Sequence, residues 1–213
     1  MVAELVVEGP DDFHVVCALL KHHSMPEAFT FQPPREAKGG VDSLLLEIPI
    51  RLKRLDLTRF GVVLDADFDL SARWASLRDR FRNIGYELPA LPMSGGWIQD
   101  MPDNRRLGIW LMPDNTLPGT LESFLRRLIP LSDPLAVRVE TFVDEIPPAE
   151  RLFPDGRRPK AVIHAWLAIQ NEPGKPLGQA ITSKYLDASS PIADEFIGWI
   201  RRLFIDDLPN LIP

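Results

Sequence analysis

Two short segments combine apolar residues with closely spaced carboxylates. The first spans residues 6–12 (VVEGPDD) and the second spans residues 61–69 (GVVLDADFD). Each is typical of a buried strand that ends in acidic residues. If the two strand ends meet in the fold, the carboxylates repel one another, and the repulsion raises the pKa of some of them. A hard divalent cation bound by oxygen ligands removes this repulsion, so the pattern predicts a site for Mg²⁺ or Mn²⁺.

The principal candidate ligands are Glu8, Asp65 and Asp67. Glu8 follows the first apolar segment, and the two aspartates follow the second. In an extended chain residues i and i+2 point to the same side, so Asp65 and Asp67 are expected to face one cation. Asp12 is either a helix cap or a ligand. Asp69 either supports the metal site or starts a helix.

The remaining pattern predicts the elements that position these acids. Strands are predicted at residues 3–8, 28–32, 60–64 and 107–112, and amphipathic helices at 13–20, 41–55, 71–84 and 121–128. Asp11 or Asp12 is expected to cap the first helix and Ser71 the third, and Pro49 is expected to kink or split the second. Strands that alternate with helices predict an α/β fold, a mostly parallel sheet with helices on both faces.

Beyond about residue 130 the sequence predicts helices only. They cover residues 133–146, 159–170, 176–186 and 191–205. We therefore divide the chain into an α/β core, residues 1–130, and a helical C-terminal extension, residues 131–213, which packs on the core as one structural unit.

Composition narrows the classes of function. The chain has 213 residues, a net charge of −6 and a pI of about 5.3, so the whole protein does not attract nucleic acid, although a local basic strip with bound metal ions could. Cys17 is the single cysteine, which excludes an intramolecular disulfide and a cysteine metal cluster. No signal peptide or membrane span is recognised, so we expect a cytoplasmic protein with no membrane partner.

The two acidic motifs together resemble the Toprim superfamily. The sequence Val-Glu-Gly-Pro-Asp-Asp before a helix, followed later by Leu-Asp-Ala-Asp, matches its glutamate after the first strand and its Asp-x-Asp after the third. This superfamily supplies the catalytic module of topoisomerases, bacterial primases and OLD-family nucleases. Residues 108–122 (GIWLMPDNTLPGTLE) are similar to small stand-alone Toprim-like proteins related to the nuclease part of OLD proteins. The resemblance covers about residues 1–125.

The resemblance implies a Rossmann-like fold and assigns roles at the site. Glu8, Asp65 and Asp67 would be catalytic residues that hold one or two Mg²⁺ or Mn²⁺ ions. Glu122, in a Leu-Glu pair, would complete the metal site, and Lys160 would be the downstream catalytic lysine. The residues themselves leave other interpretations open, because Glu122 is also typical of a first helical turn and Lys160 of a solvated helix start.

Asp114 is a further candidate metal ligand. It follows a predicted strand that points to the same edge of the sheet as Glu8 and Asp65. Its Pro-Asp-Asn context is equally typical of a turn.

Three functions remain open at this point. The resemblance favours a metal-dependent nuclease that acts on DNA or RNA, in which a separate ATPase could be a partner protein. The alternative is a non-catalytic metal- or phosphate-binding module, which an exposed apolar patch on the C-terminal helices around Trp166, Trp199 and Phe204 would support. A phosphatase or phosphotransferase for small molecules would need a deep closed pocket.

Overall fold

A five-stranded sheet lies at the centre of the protein. The computed structural model describes residues 2–32 and 40–206. The strands are β1 (Val2–Val7), β2 (Thr30–Phe31), β3 (Leu57–Asp65), β4 (Trp97–Asp100) and β5 (Arg106–Met112). They lie in the order β2-β1-β3-β5-β4, with β4 antiparallel to β5 and all other neighbours parallel. The predicted α/β fold is confirmed, and the short antiparallel strand β4 is an element that the sequence pattern did not predict.

Eight α-helices surround this sheet in the described residues. They are α1 (Pro10–His22), α2 (Gly40–Leu52), α3 (Leu70–Arg82), α4 (Leu121–Arg126), α5 (Pro134–Glu145), α6 (Arg158–Ala168), α7 (Leu177–Thr182) and α8 (Pro191–Phe204). Pro49 does not split α2, which continues through it and ends three residues later. None of these helices has the length and apolarity needed to cross a membrane.

Two expected helix caps are wrong. The first helix is capped by Gly9, and Asp12 lies in its first turn, where its carboxylate accepts a hydrogen bond from the Gly9 amide. The third helix is capped by Asp69, whose Oδ1 accepts a hydrogen bond from the Ala72 amide at 2.9 Å, so Ser71 is already inside the helix. In each case the helix begins before the expected cap, and an aspartate in the loop or first turn forms the capping hydrogen bond.

Helices cover both faces of the sheet because side chains alternate along its strands. Val63 and Met112 belong to a core cluster that includes α1 and α4 to α8. Val62, Leu64 and Leu111 belong to a second cluster that includes α2 and α3. The acids that follow β1 and β3 are thus held at one edge of a sheet whose two faces are both packed.

The helical extension is part of the first of these clusters. Trp166, Trp199 and Phe204 are buried in it, so these side chains form no exposed apolar patch. The extension therefore packs on the same core as α1 over its described residues, while residues 207–213 of the predicted extension lie outside them.

Candidate metal centre

The ends of β1 and β3 bring Glu8 and Asp65 together. The two strands are parallel neighbours, and Val7 pairs with Val63. Glu8 is the residue after β1, and its Oε2 lies 3.5 Å from the backbone nitrogen of Asp65, the last residue of β3. The predicted meeting of the two acidic strand ends is therefore present in the structure.

Asp12 is a buried acid at this edge. It is 8% exposed, although the neighbouring Asp11 is exposed. Its Oδ2 accepts a hydrogen bond from the Gly9 amide at 3.1 Å, and its Oδ1 is buried without a hydrogen-bond partner in the part of the chain that is described. A buried carboxylate oxygen without a donor is costly, and a cation would compensate for it.

Glu122 reaches the same place from α4. The Leu121 amide donates a hydrogen bond to Asp65 Oδ1 at 2.8 Å, which ties the start of α4 to the end of β3. Glu122 is buried and accepts a hydrogen bond from the Thr120 hydroxyl at 2.8 Å. Lys160, at the start of α6, places its Nζ 3.2 Å from Glu122 Oε1. The helical extension therefore supplies a cation at the edge of the sheet.

Glu8, Asp12, Asp65 and Glu122 form what we call the acidic cluster. Burial, followed by the neighbouring charge of Glu8, raises the pKa of Asp12 to about 7. Burial and the charges of Asp12 and Glu8 hold the pKa of Asp65 well above its ordinary range. The pKa of Glu8 is also raised, mainly by burial. Burial is the largest cause for each of these acids, and repulsion between them raises the pKa values further.

Asp67 differs from its predicted geometry. β3 ends at Asp65, and Asp67 has φ of 54°, so the chain is not extended across the Asp-x-Asp motif. The prediction that both aspartates face one cation assumed an extended chain from Asp65 to Asp67, and that assumption is wrong. Asp67 forms an ion pair with Arg73, whose Nε also donates a hydrogen bond to the Asp65 carbonyl at 3.0 Å.

Asp114 is engaged in a turn. Its Oδ1 accepts hydrogen bonds from Thr116 and from the Leu117 amide, and its Oδ2 pairs with Arg127. Despite some burial, these donors lower the pKa of Asp114. Both of its oxygens are satisfied by the protein, so we leave Asp114 out of the ligand set that we propose below. Asp69, the cap of α3, has a structural role as well.

The donor set of the acidic cluster suits a hard cation, but the side chains as they stand are not arranged around one. In residues 2–32 and 40–206, no three carboxylate, histidine or cysteine side chains form a group ready to hold a metal ion. Arg73 holds Asp67 and Lys160 holds Glu122. Binding would therefore require some of these side chains to turn, while the buried and unpaired Asp12 Oδ1 already lacks a donor.

Sequence reasoning missed the role of Arg73. A basic residue four positions after Asp69, the capping residue of α3, is an ordinary feature of a helix surface, and nothing in the pattern shows that its guanidinium turns back to Asp65 and Asp67. The burial of Asp12 could have been predicted from its position. Asp12 lies three residues after Gly9, and an acidic side chain at that position accepts a hydrogen bond from the amide of the capping residue.

Comparison with known proteins identifies a family and no activity. A family model with the description "Protein of unknown function (DUF3226)" matches residues 2–205. No curated protein and no solved structure matches the chain. The family model spans both the α/β core and the helical extension, and its description names no chemistry.

Proposed function

The chain belongs to the DUF3226 family, and we propose that it is a divalent-metal-dependent phosphodiester hydrolase, a nuclease with a Toprim-like centre. The observation that carries the proposal is the acidic cluster at the carboxyl ends of β1 and β3, in which Asp12 Oδ1 is buried and unpaired in the described chain. In proteins with an open parallel sheet, ligands bind at the carboxyl ends of the strands. Oxygen donors of this kind suit Mg²⁺ or Mn²⁺.

Each residue of the site has a role under this proposal. Glu8, Asp12 and Asp65 would hold the cation, and Glu122 would join them when it separates from Lys160. A bound divalent ion stabilises the charge of a phosphoryl transition state and activates water. Lys160, which is half-exposed and beside Glu122, would then offer its ammonium group to the substrate phosphate. Arg73 would keep the Asp65 backbone in place, as it does here.

A non-catalytic metal- or phosphate-binding module is the second candidate, and the ion pairs favour it. Asp67 is neutralised by Arg73, and Glu122 by Lys160. A site that stays in this arrangement has fewer free acids than a hydrolytic centre would use. Such a module would act with a partner protein, for example a separate ATPase.

Cleavage of labelled DNA and RNA, single-stranded and duplex, distinguishes the two candidates. We expect cutting in Mn²⁺ or Mg²⁺, none in EDTA, and a loss of at least about 100-fold in Asp65→Asn and Glu8→Gln, since each removes a charge that holds the ion. Asp11→Asn is the matched control, because Asp11 is an exposed acid beside Asp12 and should cut like the wild type.

The outcomes separate the candidates. Metal-dependent cutting that Asp65→Asn abolishes and Asp11→Asn retains supports the nuclease. Absence of cutting, together with Mn²⁺ binding that both Asp65→Asn and Glu8→Gln abolish, moves the assignment to the binding module. Mn²⁺ binding unchanged in both variants contradicts the proposed centre itself.

A further inference from the structure

A small cavity adjoins the acidic cluster. Its volume is about 310 Å³, and its walls include Asp67, Phe68, Pro118, Thr120, Ser123 and Arg158. Two of these residues connect it to the candidate metal centre. Asp67 belongs to the Asp-x-Asp loop, and the Thr120 hydroxyl donates a hydrogen bond to Glu122. The cavity is therefore lined by the loop that follows Asp65 and by the residue that donates a hydrogen bond to Glu122.

Phe68 is an unusual wall for a cavity at the protein surface. Phe68 is an apolar residue, and yet it is 77% exposed. It lies between the acids Asp67 and Asp69 in the sequence. The ring lies directly over Gly156, because a Cβ atom added there would come within 1.7 Å of it. Glycine at position 156 thus allows the ring to approach the backbone before α6, while most of the ring surface remains free.

The rest of the cavity combines flat apolar surfaces with a polar rim. Pro118 and Pro159 line it. Arg158 forms a two-point ion pair with Asp144, through Nε and Nη2 at 2.6 Å each, and Nη1 forms no hydrogen bond within the described residues. The adjacent Arg157 is exposed. The rim carries charges of both signs, because the acids Asp67 and Asp155 line the cavity together with Arg158. The flat apolar surfaces, rather than the rim charges, suit the face of a base.

We infer that this cavity binds one unpaired nucleobase of a single-stranded nucleic acid, with the base stacked on Phe68. This inference rests on the proposed function. The volume is at the small end of ligand pockets, roughly 300–1,000 Å³, so it suits one base and not a length of duplex. A base inside a duplex stack does not expose its face to a side chain, so the substrate class is single-stranded DNA or RNA, or an unpaired end.

Phe68→Ala should weaken substrate use without unfolding the protein. Stacking of one base on an aromatic ring accounts for roughly 5- to 150-fold in binding, so we expect KM for a single strand to rise by about tenfold or more with kcat little changed. Phe68→Trp should restore KM, because the indole also offers a stacking face. Phe142→Ala is the matched control, since Phe142 is an exposed phenylalanine on α5 outside the cavity.

An abasic scan locates the bound base. Single strands of DNA and of RNA, each with one base removed at successive positions, are cut by the wild type and by Phe68→Ala. In the wild type, removal of one base at a fixed distance from the cleaved bond should raise KM by about as much as Phe68→Ala does. In Phe68→Ala the same removal should have no further effect, and the RNA and DNA arms show which nucleic acid is preferred.

Failure of this inference differs from failure of the proposed hydrolysis. Normal cutting with the same KM in Phe68→Ala and the wild type overturns the base cavity and leaves the nuclease intact. Absence of cutting calls for binding measurements on the same strands in Ca²⁺ by fluorescence anisotropy. Binding that Phe68→Ala weakens and Phe68→Trp restores supports the cavity without hydrolysis, and binding that is indifferent to Phe68 overturns it.

Discussion

Asp11 and Asp12 are identical in chemistry and opposite in environment. Asp11 is exposed, whereas Asp12 is buried, accepts a hydrogen bond from the Gly9 amide and lies within the electrostatic influence of Glu8. Neighbours and burial, and not residue type, therefore decide which acid can serve as a ligand. The sequence predicted that acids would meet here, but it left Asp12 open between cap and ligand, because a first helical turn favours an acid in either role.

The first prediction concerns the pH dependence of stability in EDTA. Because the pKa of Asp12 is about 7 in the folded protein and 3.8 in a model peptide, the folded state binds more protons than the unfolded state between these values. The free energy of unfolding should therefore fall as pH rises from about 4 to about 7. Asp12→Asn removes this charge, so urea unfolding at pH 8 should show it to be more stable than the wild type by on the order of a few kcal/mol.

Asp11→Asn is the control for this effect. Asp11 is exposed, so its replacement should leave the pH profile of unfolding within about 0.5 kcal/mol of the wild type. If Asp12→Asn is no more stable than the wild type at pH 8 in EDTA, then Asp12 is not under the electrostatic strain that the proposed metal site requires.

At the scale of elements, periodicity predicted most of what positions the site. The strands with apolar runs, β1, β3 and β5, and the amphipathic helices lie close to where their spacing placed them. The periodicity of apolar residues does not predict the conformation of loops. Asp67 has a positive φ, and its amide donates a hydrogen bond to the Gly119 carbonyl, which lies far away in sequence.

Helix α8 packs on the sheet where two glycines of neighbouring strands lie side by side. Gly61 of β3 pairs with Gly108 of β5, and together they leave room on the sheet for Leu203. A Cβ atom on Gly108 would come within 2.7 Å of a Leu203 methyl group, and one on Gly61 within 2.8 Å. Leu203 is fully buried, so it cannot easily move aside. The helical extension thus depends on two glycines in the core.

Gly108→Ala should destabilise the protein. Overpacking of a filled core costs about 1–3 kcal/mol, which urea unfolding measures. Leu203→Ala should also destabilise the protein on its own, because it leaves a cavity. In the double variant the alanine methyl group occupies part of that cavity. The loss of stability in the double variant should therefore be smaller than the sum of the losses in the two single variants.

Gly198→Ala is the control on the same helix. Its Cβ would meet only Arg202, at 3.4 Å, and alanine suits a helix better than glycine. We expect it to raise stability by roughly 0.5–1 kcal/mol. Additive losses in Gly108→Ala with Leu203→Ala would show that α8 does not dock through this contact.

At the scale of the whole molecule, the candidate site is assembled from distant parts of the chain. Glu8 directly follows the first strand, Glu122 comes from the start of α4, and Lys160 from α6 in the extension. With a net charge of −6, the protein as a whole would repel a polyanion, so a bound cation at the acidic cluster would be needed to reverse the local sign. An ion held by residues from such distant segments would bind the folded chain and not the unfolded one, so we expect metal binding to raise stability.

The last prediction is that Mn²⁺ or Mg²⁺ raises the melting temperature, and more so at high pH. An ion at about 100 times its dissociation constant stabilises the folded state by about 2.7 kcal/mol. For a chain of this size that corresponds to roughly 5–10 °C in a thermal melt. The shift should be larger at pH 8 than at pH 6, because near pH 6 Asp12, with a pKa of about 7, must first lose a proton to bind the ion.

Variants locate the ion in the same thermal melts. Glu8→Gln and Asp65→Asn should abolish the shift, each measured against its own melt in EDTA. Asp114→Asn should lower the melting temperature, because Asp114 holds a turn and Arg127, but it should keep the full shift. A shift lost in Asp114→Asn and kept in Glu8→Gln would move the metal centre away from the ends of β1 and β3, since those strand ends hold Glu8 and Asp65 and not Asp114.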